Sequence, residues 1–258
     1  MGIGVTFALG LAIAAQAVNA NATEVTKPQT EAEAKCTADK NLCLLMTKTG
    51  EENTGTLMVK IKSGTGVSTA QIDIPSSLTD YDNVSFWPQI IPLGGQSALI
   101  GIIEHHSTMY SGGGGSSDQL HLFKIRYAGG VAQLGNSLST LPMRASLFIR
   151  ACFSEKEYII NGDACHDDYQ YKATLTALQK SMSPDGWPTL KYTSIATTFP
   201  RTSRRSRDNS KDRHVRKADL ITWKDPKCSY SRQLRYNAAT QQYEMNQPAP
   251  ECSDYTEI

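Results

Sequence analysis

The chain has 258 residues, 40% hydrophobic and 20% charged, with a formal net charge of +1. That content supports a buried core in an ordinary globular protein. The near-neutral balance excludes a bulk electrostatic case for nucleic acid or membrane as partner.

Residues 1–22 (MGIGVTFALGLAIAAQAVNANA) carry no charged side chain. An apolar run ending in small residues in A-x-A-like order, such as Ala15-Gln16-Ala17 and Ala20-Asn21-Ala22, predicts a cleaved export signal. Its glycines and alanines make it weakly apolar for a membrane span. The mature chain 23–258 is therefore expected to be periplasmic or secreted, with no transmembrane span after cleavage. All six cysteines fall within it: Cys36, Cys43, Cys152, Cys165, Cys228 and Cys252. An even number in an exported chain implies disulfides. Their clustering suggests Cys36–Cys43, Cys152–Cys165 and Cys228–Cys252, and no C-x-x-C spacing supports zinc.

After a polar leader at 21–35, the periodicity is two. Leu57, Val59 and Ile61 alternate with Met58, Lys60 and Lys62, and Ile72 and Ile74 with Gln71 and Asp73. Residues 98–103 (ALIGII) read as a buried strand. Residues 111–117 (SGGGGSS) read as a linker between strands; no Gly-Lys-Ser/Thr follows, so a phosphate loop is not supported. Leu120, Leu122, Ile125 and Tyr127 predict the next strand, with a bulge near Phe123. Further strands are expected at 145–153, 158–160, 168–175, 190–197, 220–223, 229–236 and 242–245. Asn161-Gly162 is the best hairpin-type turn signal. Short strands at this spacing predict an all-β fold, an antiparallel sandwich first and a partial propeller or barrel second. The expected organisation is one β-rich domain with a soft subdivision near 140–150.

Segment 201–217 stands apart. Arg201, Arg204, Arg205, Arg207, Lys211, Arg213, Arg216 and Lys217 face only Asp208 and Asp212, a balance of +6 that leaves −5 for the rest of a +1 chain. With Val215 its sole apolar residue, it predicts a flexible basic loop and a partner-binding element.

Catalytic signals are weak. No G-x-S-x-G elbow or H-E-x-x-H pair occurs. His105, His121 and His166, with Asp163, Asp167 and Asp168, are weak metal candidates; Asn161 and the three aspartates also suit calcium in kind. Tyr and Trp crowd the second half as core residues or as a binding platform. The function expected is therefore that of an exported non-enzymatic binding protein without cofactor. Its partner would be a protein of the cell envelope, as for an inhibitor or immunity-type protein acting on a toxin or hydrolase. A carbohydrate- or peptidoglycan-binding module is second, and a secreted metal-dependent hydrolase third.

Overall fold

The structure is a computed structural model that describes residues 34–49, 54–63, 66–75, 78, 83–162, 164–183, 186–206 and 215–258. The expected export signal lies outside the described residues. Four strands, β1 (Lys35–Cys36), β2 (Leu42–Thr49), β3 (Thr54–Ser63) and β4 (Gly66–Asp73), form a small antiparallel sheet in chain order. Leu42, Leu44 and Met46 on β2 and Leu57, Val59 and Ile61 on β3 lie on one face and are buried.

The larger sheet contains β5 (Val84–Phe86), β6 (Ile91–Gly94), β7 (Ser97–Tyr110), β8 (Gly113–Ala128), β9 (Val131–Ile149), β10 (Asp167–Met182), β11 (Pro188–Phe199), β12 (Trp223–Lys224), β13 (Ser231–Asn237) and β14 (Gln242–Met245). Its order is β14-β13-β11-β10-β9-β8-β7-β5, with β6 also on β7 and β12 also on β11. β9 runs unbroken through residues 140–149. The chain is all-β; among the described residues there are two short helices, α1 (Glu155–Ile160) and α2 (Ser253–Thr256), and a 3-10 turn at Lys217–Asp219. All three expected disulfides are present.

Two apolar layers use opposite faces of the same strands. Ala98, Ile100 and Ile102 on β7, with Phe123 and Ile125 on β8, pack against the small sheet. Leu99, Leu120 and Leu122 point the other way, into a core shared with Tyr169, Tyr171, Trp187, Leu190, Tyr192 and Tyr243. The large sheet curls to enclose that core: Gln242 on β14 donates to the Ser137 carbonyl on β9, although three strands separate them in the sheet.

This two-sided burial changes the reading of β8. The apolar phase shifts between Leu122 and Phe123 because both faces are covered, not because β8 gains a residue. Its pairing with β7 is continuous from Arg126 to Gly113. The irregularities lie in the pairing with β9: Leu122 pairs Ser139 and Phe123 pairs Ser137, so that Leu138 is extra, and the register shifts again between Phe123 and Ile125 and between Asp118 and Gln119.

Other expectations are corrected. Gly113 to Gly115 are not linker but the start of β8, paired with β7 on one side; Gly114 and Gly115 also pair with β9 on the other. The turn is only Ser111-Gly112, with Gly112 at φ 85°. Residues 158–160 are helical, because Ser154 caps α1 by accepting from the Glu157 amide at 3.2 Å. Asn161-Gly162 therefore closes that helix and joins no hairpin. Residues 220–223 contribute only the start of the short β12, and the predicted strand at 145–153 stops at Ile149. β2 went unrecognised in the sequence: its run LCLLMTKT blurs alternation by placing Leu45 on the second face.

Candidate functional site

The β7–β8 hairpin, the loop 150–166 and the ends of the basic segment meet at one end of the large sheet. Glycine explains the hairpin tip. A Cβ on Gly113 would stand 2.5 Å from the Tyr110 ring and 2.7 Å from the Phe148 carbonyl oxygen; one on Gly114 would stand 2.6 Å from the Met109 sulfur. The bare strand lets these long side chains cross it. A Cβ on Gly112 would lie 3.1 Å from Phe153 Cζ, so the Phe153 ring borders the turn. Met109 is nonetheless 78% exposed and Phe153 77%, with Ile159 at 69% on the same stapled loop.

The loop is firmly held. Cys152–Cys165 closes it. At its entrance Arg150 adopts φ 66°, a left-handed conformation that costs a non-glycine residue roughly 1–2 kcal/mol. Polar contacts fix Arg150 there. Its guanidinium pairs with Asp167 and donates to the Arg204 carbonyl at 3.2 Å, while its own carbonyl lies 2.6 Å from His166 Nδ1. Asp167 in turn accepts from the buried Ser203 hydroxyl at 2.7 Å.

The described ends of 201–217 are anchored here. Arg201 pairs with Asp219 at 3.3 Å, and Arg204 lies over the Trp223 ring at 5.2 Å. Arg205 donates to the carbonyls of Ser253 and Glu257. Arg216 and Lys217 are exposed, and a Cβ on Gly162 would lie 3.8 Å from the Val215 carbonyl oxygen, which brings this end of the segment beside the stapled loop. Arg207, Lys211 and Arg213 lie outside the described residues. So the anchored cations and the exposed apolar side chains share one end of the sheet. Sequence reasoning found the cations and missed Met109 and Phe153. The signal available was the S-x-x-E pattern at Ser154–Glu157, which places a helix directly after Phe153; Ser154 caps it, and the Glu157 carboxylate accepts from the Phe153 amide at 2.7 Å.

The metal candidates are dispersed. His105 and His121 face opposite sides of the sheet. His105 Nδ1 lies 2.6 Å from Asp118 Oδ1, while His121 Nε2 lies 3.2 Å from Glu104 Oε2. His166 sits near the Phe148 end of β9, eight residues from Thr140, the partner of His121; that is roughly 26 Å along a strand. Asp167 is engaged by Arg150 and Ser203, and burial pushes the Asp168 carboxyl above its usual range, opposed by nearby His166. Asp163 lies outside the described residues. Among the described residues no group of three or more His, Cys, Asp or Glu is placed to hold a metal.

The β7–β8 hairpin does bring one of the adjacent pair His105 and His106 close to His121: it is His106, through Glu104. Glu104, 7% exposed, takes both His121 and His106 (3.3 Å), and Thr140 Oγ1 lies 3.1 Å from His121 Nδ1. The order hydroxyl, imidazole, carboxylate resembles an activated nucleophile. However, its residues sit within the β7–β8–β9 ladder, where main-chain amides are engaged with neighbouring strands instead of forming an oxyanion site.

The aromatics of the second half are chiefly core: Tyr169, Tyr171, Trp187, Tyr192 and Tyr243 are buried. Beside Trp187 opens a cavity of about 350 Å³ between β8, β9 and the β13–β14 hairpin. No protein-family model, curated protein or solved structure matches the chain.

Proposed function

We propose that this is an exported binding protein that engages a protein partner through the end of the sheet bearing Met109, Tyr110, Phe153 and Ile159. The reading extends to an inhibitor or immunity-type protein that neutralises a toxin or hydrolase in the cell envelope. The observation that carries it is large apolar side chains held in water on a braced frame, with arginines at the same end of the sheet. Apolar anchors with a charged rim make a partner surface, and anchors on a stapled loop lose little entropy on binding. Three disulfides and the absence, among the described residues, of a helix long and apolar enough to cross a membrane are compatible with export.

The test is capture from an envelope extract with wild type and two variants, followed by binding kinetics on the captured protein. Phe153→Asp changes a side chain that the fold leaves 77% exposed. It should weaken binding by about 2 kcal/mol or more, chiefly through faster dissociation. Changing Arg204, Arg205, Arg207 and Arg213 together to Ser should slow association about tenfold at low salt, with a smaller deficit near 0.5 M salt. Capture and kinetics equal to wild type in both variants would remove this surface from the function.

A further inference from the structure

The cavity beside Trp187 stands apart from that surface, and its reading holds whether or not a protein partner binds there. Lys124 and Arg126 project from the same face of β8, two residues apart, into its wall. Among the described residues that line it, none is Asp or Glu, and neither cation has an ion pair. Glu244, on the neighbouring hairpin, is taken up by Thr240 at 2.7 Å and Asn237 at 3.0 Å. Two like charges thus share a concave site with nothing of opposite sign, which favours an anion entering from solution. Their repulsion, together with partial burial, holds the Lys124 ammonium below its ordinary pKa, burial being the larger cause.

The remaining walls narrow the chemistry. Tyr236 stacks on Trp187 with ring centroids 3.8 Å apart and planes 14° apart. Lys124 Nζ stands 5.0 Å from the Trp187 centroid. A ring at 3.8 Å leaves no space for an ammonium on its own side, so both indole faces are covered. A flat aromatic ligand such as a nucleobase therefore finds no platform on Trp187. What the cavity offers is amides: Gln133, Asn136 and Gln241 border it. Gln241 is held at φ 55°, where a side chain other than glycine is strained, on the turn that forms the cavity rim. Amide side chains both donate and accept, which suits a body carrying several hydroxyls. A volume of about 350 Å³ falls at the small end of ligand pockets.

We infer that this cavity binds a saccharide bearing a carboxylate or sulfate, with Lys124 and Arg126 on the anionic group and the amides on its hydroxyls.

The experiment is titration calorimetry on the mature protein with three probes: a diglucuronate, the neutral diglucoside of the same linkage, and inorganic phosphate. The diglucuronate should bind at least tenfold more tightly than either of the others. Arg126→Gln, at an exposed position, should weaken it at least fivefold with an unchanged thermal midpoint; Lys124→Met should do the same while keeping an apolar stem over Trp187. Equal binding of the diglucoside would overturn the anionic recognition. Phosphate binding as tightly as the diglucuronate would reduce the cavity to a simple anion site and overturn the saccharide. No heat from the diglucuronate at millimolar concentration, or no loss in Arg126→Gln, would overturn the assignment.

Discussion

Asp167 and Asp168 are the first two residues of β10, yet the two carboxylates have opposite fates. Asp167 is compensated by Arg150 and the Ser203 hydroxyl. Asp168 is drawn out of water, and desolvation raises its pKa, with His166 pulling the other way. A folded-state pKa above the unfolded value means that the folded chain holds the proton more tightly. The stability linked to that proton is complete below the ordinary aspartate value, about 3.9, and is lost as pH rises through the folded value. Asp168→Asn should therefore raise the thermal midpoint at pH 7 relative to wild type, and the gain should shrink towards zero near pH 3. Equal midpoints at pH 7, or a gain that grows on acidification, would contradict this account. Nothing in the sequence string HDD distinguished the two aspartates. Their difference comes from Arg150 and Ser203, which lie 17 and 36 positions from Asp167 and meet it only in the folded chain.

Among the elements, strands buried on one side were the most legible. β3 showed its Leu57-Val59-Ile61 alternation because its other face carries the exposed Lys60 and Lys62 after Met58, and β14 matches the predicted 242–245. Two-sided burial removes the period-two signal but not the strand: residues 98–103 were legible in β7 as a continuous apolar run, whereas β2 and the glycine-bearing start of β8 were not. The start of β8 is the clearest case, since GGG has the composition of a linker and the role of a strand. Its glycines exist for the neighbours: Tyr110 and Met109 lie across them, and the main chain of Phe148 passes on the other side. Gly113→Ala should destabilise the fold by roughly 1–3 kcal/mol, because the added carbon meets a backbone oxygen that cannot rotate away. Gly95→Ala is the control. Nothing lies within 4 Å of its added carbon, so only the φ of 55° opposes it, at roughly 1 kcal/mol. Urea denaturation of both variants checks the order, and a Gly113→Ala cost below that of Gly95→Ala would return this segment to a linker. The candidate site was half legible for the same reason. Charge runs survive in one dimension, whereas the exposure of Met109 and Phe153 depends on the turn and the disulfide that set them side by side.

At the scale of the whole molecule, the curled sheet closes on phenols as much as on aliphatic side chains, and this fixes how the fold should fail at high pH. Tyr192 donates to the Pro142 carbonyl at 2.6 Å, and its oxygen lies 2.7 Å from that of Tyr171. Tyr243 donates to the Pro188 carbonyl at 3.0 Å, and Tyr255 to Asp225 at 3.0 Å, so a phenolate at any of these places would lose its bond and face an acceptor. Burial raises the pKa of Tyr169 to about 12 and pushes those of Tyr192, Tyr230, Tyr243 and Tyr255 well upward. Each raised value contributes stability that is complete below the unfolded value near 10 and is lost as pH climbs towards the folded one. These residues sit on β10, β11, β14, α2 and the approach to β13, all in or against one core, so ionising one weakens the packing of the next. The expected outcome is a single cooperative alkaline transition, in which phenolate absorbance at 295 nm from these tyrosines appears together with loss of the near-ultraviolet circular dichroism. Mild back-titration before the transition should recover the native spectrum. Gradual ionisation of all eleven tyrosines with the near-ultraviolet signal intact would mean that the phenols are not the closure of this sheet.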